Sequence, residues 1–477
     1  MIRPSVVVVG GGISGLAAAW ELTGGADGPT DATPRVEVIE ASERVGGTLA
    51  TTTFAGRTID LGADGFLARR PEAVSLVHEL GLDPQLEPIA ESGAWLWSRG
   101  QLNELPKGLV LGVPTMLESI THFRGVGWRG HLAARRDVLL PKRLHVGKDT
   151  SIGEITRAKL GRELSYQFIE PMIGGIQAGR IDDLSAKSVF PALYAAAQKG
   201  GSLMRAIKPT VAAPDSAPVF YSLLEGVGSL PISLVAQLKE RGVIIRQGVG
   251  VTALRRTPVG TYPLEVDTFA TTTPANAVIL ATPAPTTAAL IGSFDSALDD
   301  LQRIDSAGAA MITFSLPRAL VTLPPHGTGV LVPLHTPWSG EGSLMVTAVT
   351  FLDRKWPHLR RDDDVLLRAH VGRSDDPRWS ELDDDELVAR VSSELAVLMP
   401  QWGQPTESLV QRWPLGLPQY RVGHEQLVER ARIASARHGV ALAGNAYDGV
   451  GVPASVGSGR HAARSVASHL GALDRSD

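Results

Sequence analysis

Six residues close to the N-terminus carry the first recognisable chemistry of this chain: Gly10, Gly11, Gly12, Ile13, Ser14 and Gly15. Gly10, Gly12 and Gly15 read G-x-G-x-x-G between a β-branched run, Val6 to Val9, and a stretch of good helix formers, LAAAWEL. The run has the pattern of a strand buried on both faces. In that setting the first glycine permits a tight turn and the second lets backbone approach a pyrophosphate. The third lets helix pack closely on strand, and the helix N-terminus favours anionic phosphates. A second strand, RVEVIE, ends on Glu40, the place where an acidic side chain takes ribose hydroxyls. The chemistry implied is the holding of a dinucleotide.

Elements farther along must complete the site. GRTIDLGADGFLARRPEAVSLVHELGL reads as strand, glycine-rich turn, then a helix opened by Pro71 and closed near Gly81. From about Trp95 to Lys208 the pattern is largely helical, with a capping-box pairing of Ser151 and Glu154. NAVILATPAP is a buried strand, and residues 305–415 alternate strand-like runs with one later helix, the composition of an antiparallel sheet backed by helix. The C-terminal GVALAGNAYDGVGVPASVGSGRHAARSVASHL reads as strand, glycine loop, helix. The expected fold is α/β and multidomain. A discontinuous Rossmann-like domain takes residues 1–70, 215–290 and 415–477. A substrate domain built on the antiparallel sheet takes 71–95 and 291–414, and a helical subdomain is inserted at 96–214.

Composition narrows the function classes. Hydrophobic residues at 43% and charged residues at 20% are ordinary globular values. The net charge of −4 gives no nucleic-acid signature. With no cysteine, thiolate catalysis, disulfides, cysteine metal sites and cysteine-linked cofactors are excluded. The chain moves straight into a strand and holds no apolar run of membrane-spanning length, so a cytoplasmic protein is expected, with peripheral membrane contact left open. No metal cluster is read from the twelve histidines; His438 and His461 suit helix ends, and His424 suits a structural role.

After Glu40, the residues Arg44, Gly46 and Gly47 complete E-x-x-x-R-x-G-G. This extension resembles FAD enzymes of the amine-oxidase and porphyrinogen-oxidase superfamily. The segments LGRELSYQFIEPMIGGIQAGRIDDLS, LEGVGSLP, GTGVLVP, KWPH, RWPLGLPQYRVGH and GNAYDGVGVPASVGSG extend the likeness. Over essentially its whole length the chain resembles the oxygen-dependent porphyrinogen oxidases of haem synthesis. It is most similar to the coproporphyrinogen III oxidase branch of Gram-positive bacteria, which has an acidic residue at Asp64 where mitochondrial and plastid protoporphyrinogen oxidases carry arginine. That branch usually has lysine where this chain has Arg70.

The resemblance implies non-covalent FAD, a tetrapyrrole substrate, O2 as acceptor, and a ferrochelatase receiving product. It assigns FAD contacts to the Gly10–Gly15 turn, to Glu40, Ala41, Arg44, Gly46, Gly47 and Thr48, and to Gly62, Ala63, Asp64 and Gly65. Val251, Trp413, Val450, Gly451 and Val452 complete the set. Asp64 and Arg70 are the candidates for substrate chemistry, Asp64 as an ordering group or proton acceptor and Arg70 as a partner for substrate carboxylates. Lys355 lies in the KWPH match, and no residue matches the flavin-adjacent lysine of amine oxidases. Protoporphyrinogen IX oxidase is the nearest alternative. An amine oxidase, a carotenoid desaturase and a non-enzymatic binder like the Rab GDP-dissociation inhibitors are more remote.

Overall fold

The computed structural model describes residues 3–207, 218–257, 262–338 and 342–473. The end of the expected helical segment, 208–214, lies outside the described residues. The valine run forms the strand Ser5–Val9 at the centre of a five-stranded sheet. Its neighbours are Arg35–Ile39 and Ala277–Leu280, with Ile244–Arg246 and Val440–Leu442 at the edges, and every pairing is parallel. Strand periodicity divides the run between two cores. Val6 and Val8 pack with Leu16, Trp20 and Leu234, while Val7 and Val9 pack with Leu254, Val266 and Leu442. Full burial on both faces is why four consecutive apolar β-branched residues stand here without alternation.

One face of this sheet is covered by the helices Ile13–Leu22, Ser229–Glu240 and Val452–Leu473. The other is covered by a three-stranded antiparallel sheet, Val251–Arg256, Leu264–Thr268 and Thr272–Ala275, and by the helices Ala284–Ile291 and His424–Ala436. A second, seven-stranded sheet has the order Glu407–Pro418, Ser306–Pro317, Asp364–Val371, Val346–Phe351, Gly329–Leu331, Trp95–Ser98, Gln101–Glu104. In Asp364–Val371, the residues Val365, Leu367 and Ala369 face a core shared with the helix Asp384–Leu398, which opens on an Asp383–Glu386 capping box. Arg368 and His370 alternate with them and face the other way.

The helical segment packs its own core, including Ile155, Leu160, Phe168 and Leu193, against Leu96 of the second sheet. The N-cap of Ile152–Leu164 is half of the expected box. Ser151 Oγ accepts from Glu154 N at 3.1 Å, but the Glu154 carboxylate takes the Thr150 hydroxyl instead of the cap backbone.

Three stretches pack elsewhere than the expected division puts them. The helix Pro71–Glu79 belongs with the five-stranded sheet, because Ala73, Leu76 and Val77 turn toward that core. Leu298, Leu301 and Ile304 likewise extend the core beneath the parallel sheet. The hairpin Trp95–Ser98 and Gln101–Glu104 pairs into the seven-stranded sheet and is not part of the helical segment.

The first and last helices lie side by side, and Gly459 sets their separation. A Cβ on Gly459 would meet Ser14 O at 2.0 Å. Gly459→Ala should therefore push the two helices apart and cost about 1–3 kcal/mol, the usual range for overpacking. Denaturant unfolding measures the loss, and bound-cofactor content should fall with it.

Candidate active site

The Gly10–Gly15 turn takes the form expected of a phosphate cradle. A Cβ on Gly15 would meet Gly10 O at 2.0 Å, so only glycine lets the helix Ile13–Leu22 start so close to the strand before it. Gly11 N donates to Glu40 Oε2 at 2.6 Å, and Ser42 N and Oγ donate to Oε1 at 2.9 and 2.6 Å. Glu40 thereby ties the two strand ends together. Gly46 N donates to Gly11 O at 2.8 Å, laying the R-x-G-G stretch against the turn. Gly248 and Val249 N–H groups bond to the carbonyls of Ser42 and Glu40, which brings half-buried Val251 to the same end. Arg44 and Trp413, 369 positions apart in sequence, meet here: the guanidinium stands 5.7 Å from the indole centroid.

The C-terminal glycine loop approaches from the other side, leading from Val440–Leu442 into Val452–Leu473. Gly444 N donates to Ser458 Oγ at 2.9 Å, and Ser458 in turn donates to Asp448. The loop is braced by PQYRVGH. Tyr420 donates its hydroxyl to Asn445 O, and the His424 ring stacks on Tyr420 at 4.1 Å and 13°. Burial pushes the His424 imidazole down to about 4, partly offset by its bond to the Ala446 backbone, so it is neutral at pH 7. The same segment holds the helical part: Ser185 N donates to Tyr420 O at 2.8 Å, and Gln419 Nε2 donates to Gln177 O at 2.8 Å.

Between these cradles runs Arg57–Gly65, laid across the second sheet. Arg57 pairs with Asp364, and Trp413 Nε1 donates to Leu61 O at 3.1 Å. The guanidinium of Arg368, 2% exposed, donates to Asp60 O, to Gly62 O at 3.3 Å and to Thr313 Oγ1 at 3.2 Å. Asp64 accepts from Lys355 Nζ at 2.8 Å and from Trp356 Nε1 at 3.1 Å. Burial alone would raise the Asp64 carboxyl, but Lys355 and Arg368 outweigh it and hold it down at about 2. Asp60 differs. Burial pushes its carboxyl up to about 7 despite bonds from the Gly228 and Val227 backbone, and the charge of nearby Asp64 adds to the rise.

The backbone fits a bound dinucleotide cofactor. A Cβ added to Gly12 would meet only Gly47 Cα, at 3.9 Å, and one added to Gly451 would meet nothing within 4 Å. Both cradles thus present bare backbone beside open space, each at a helix N-terminus. Thr48 and Gly62 touch back to back, since a Cβ on Gly62 would meet Thr48 O at 2.1 Å. Arg70 stands apart: it is exposed at the N-cap of Pro71–Glu79 and makes no ion pair among the described residues. Sequence reading missed Arg368, Asp60, Trp356 and His370. The one available signal for Arg368 was a charge inside the apolar run DVLLRAHV.

A parallel sheet, a glycine turn, an acidic second strand end and a closing C-terminal cradle define a flavin-dependent oxidoreductase. The chain belongs to the flavin-containing amine oxidoreductase family, whose model matches residues 13–467. It is similar to coproporphyrinogen III oxidase of Bacillus subtilis, with 32% identity covering 98% of this chain and 99% of that protein. It is also similar to human protoporphyrinogen oxidase, at 29% identity covering 97% and 98%. A crystal structure from Exiguobacterium sp. 255-15, of a protein provisionally named protoporphyrinogen oxidase, superposes with a TM-score of 0.85 at 31% identity, covering 98% and 99%.

Asp60 generates a prediction about pH. Its raised folded pKa means that the folded state holds the proton more tightly, a contribution complete below pH 4 and lost as pH rises through about 7. His370, pushed down to about 4 by burial and by Arg368, and His424 run the opposite way between pH 4 and 6.5. The readout is therefore the difference between Asp60→Asn and the parent. That difference should move in the variant's favour from pH 4 to 8, by up to about 4 kcal/mol. Urea unfolding at a series of pH values checks it; a constant difference would refute the assignment.

Proposed function

We propose that the protein is an FAD-dependent, oxygen-dependent coproporphyrinogen III oxidase, forming coproporphyrin III with release of three H2O2 from three O2. The observation that carries this reading is full-length similarity to relatives bearing that name, from Bacillus subtilis, Mycobacterium leprae and Staphylococcus aureus among others. Direct contact between the QAGRIDDLS and PQYRVGH stretches, through Gln177–Gln419 and Ser185–Tyr420, supports it from the fold.

In this reading the five-stranded body holds FAD, while the second sheet and the helical segment enclose the tetrapyrrole. Bound FAD supplies hydride acceptance from the substrate and electron-pair transfer to oxygen. The absence of cysteine supports non-covalent binding. Residues Gly10 to Gly15 would take the pyrophosphate and Glu40 the ribose. Arg44, Gly46, Gly47, Trp413 and Val450 to Val452 would enclose the ribityl and ring end. At neutral pH Asp64 is ionised and accepts two hydrogen bonds, so its work is to orient Leu61–Gly65, where small residues let a flat ring approach. Exposed Arg70 would meet propionates at the entrance, of which coproporphyrinogen carries four and protoporphyrinogen two. Product would pass to a ferrochelatase in the cytoplasm.

Oxygen uptake with coproporphyrinogen III and with protoporphyrinogen IX decides between the two named activities. The enzyme should be yellow and turn over coproporphyrinogen faster; the reverse order overturns the substrate assignment. Arg70→Ala should raise KM for coproporphyrinogen by about two- to fivefold, as for one solvent-exposed ion pair, with flavin content unchanged.

A further inference from the structure

Arg57, Lys355 and Arg368 gather where the stretch Arg57–Gly65 crosses the second sheet, and two of them have a carboxylate of their own. Arg57 pairs with Asp364, and Lys355 pairs with Asp64 at 2.8 Å. Arg368 makes no ion pair among the described residues; its guanidinium donates to the carbonyls of Asp60 and Gly62 and to Thr313 Oγ1. The Asp60 carboxyl, which could offset it, is pushed up to about 7 by burial and so holds its proton at pH 6. His370, two residues on and facing the same way, is pushed down to about 4 by burial and is uncharged there. Beside the Arg57–Asp364 pair, the buried group thus carries one negative charge, on Asp64, and two positive charges, on Lys355 and Arg368. A surplus positive charge in the interior is costly unless a negative charge comes to meet it.

The peptide planes above Arg368 show where that surplus is felt. In a trans peptide the C=O and the following N–H point opposite ways. The Asp60 carbonyl turns toward Arg368, and the Leu61 N–H on its far side is taken up by Ala50 O at 2.7 Å. The Gly62 carbonyl also turns toward Arg368, at 3.3 Å, but the Ala63 N–H on its far side has no partner among the described residues. A guanidinium on the carbonyl end of a peptide polarises it and strengthens the N–H at the other end. Half-buried Ala63 therefore presents a reinforced donor, left open on the face of the stretch that turns away from the sheet.

We propose that Arg368 is a positioning residue of the flavin site, whose surplus charge acts through the Gly62–Ala63 peptide and the Ala63 N–H to stabilise the flavin ring once it is reduced. A hydride carries two electrons and one proton, so a ring that accepts one gains one negative charge, which meets the surplus. The oxidised ring is neutral and draws far less from it. Arg368 thus raises the affinity of the bound flavin for electrons, by a charge fixed in place before the reaction. The inference rests on the placement of the ring against Leu61–Gly65 and not on the substrate assignment.

Anaerobic equilibration of the flavin-loaded enzyme with a two-electron reference dye at pH 6, with no tetrapyrrole present, tests it. Arg368→Met should shift the equilibrium at least about tenfold toward oxidised flavin, a midpoint about 30 mV lower for a two-electron couple. Arg368→Lys keeps the charge and should stay closer to the parent than Arg368→Met does. Asp64→Asn removes the one negative charge and should move the equilibrium about tenfold the other way. Opposite shifts are what a charge effect requires and what a general loosening of the site does not give. A parental midpoint in Arg368→Met overturns the proposal, and so does a midpoint that stays or falls in Asp64→Asn. The second result decides even where Arg368→Met fails to fold. A parent that takes up no flavin overturns the cofactor reading and this inference together, whereas bound flavin with unmoved midpoints overturns this inference alone.

Discussion

A buried guanidinium governs the middle of this molecule. Arg368 lies on the inner face of the second sheet, almost wholly removed from water. A charge in that position is tolerated only where its donors are taken up. They are taken up by the carbonyls of Asp60 and Gly62 and by Thr313, so the need to satisfy one side chain fixes the course of the stretch Asp60–Gly62 over the second sheet. The remaining polar groups follow from that placement. With Arg368 beneath it, Asp64 stays ionised and pairs with Lys355, while Asp60, four residues earlier and without a cation paired to its carboxylate, is driven toward neutrality by burial. Two neighbouring aspartates acquire opposite protonation behaviour from their surroundings alone.

A second constraint links parts of the chain that are remote in sequence. Residues Gln419 to His424 bond on one side to the helical segment through Gln177 and Ser185, and on the other to the C-terminal glycine loop through Asn445 and Ala446. The helical segment and the C-terminal glycine loop are therefore held by the same few residues. The Tyr420 and His424 rings are stacked and buried, which leaves the brace few conformations to choose among.

The strand, glycine turn and helix around Gly10–Gly15 were legible because that pattern lies in consecutive residues. Strand, glycine turn, helix and the acidic end at Glu40 are all local patterns. The same holds for the C-terminal loop between Val440–Leu442 and Val452–Leu473. The polar platform was not legible, because its partners lie far apart: Arg57 with Asp364, Asp60 with Arg368, Asp64 with Lys355. No periodicity in one segment announces a partner some three hundred residues away. The outward turn of Trp128, Leu132 and Leu139 on the helix Trp128–Leu139 was hidden for a different reason. Apolar residues at helical spacing look alike whether they face a core, a cavity or solvent, and only packing separates the cases. Domain edges failed where a helix such as Pro71–Glu79 followed its apolar face and not its neighbours in sequence.

The helices Ile13–Leu22 and Val452–Leu473 are locked together where Gly459 meets Ser14. During synthesis the glycine turn at Gly10–Gly15 leaves the ribosome more than four hundred residues ahead of the loop that begins at Gly444. At the ten to twenty residues per second or fewer of translation, the front half waits on the order of tens of seconds for the back half. A ligand gripped by both glycine turns can therefore be gripped only after the second of them has emerged.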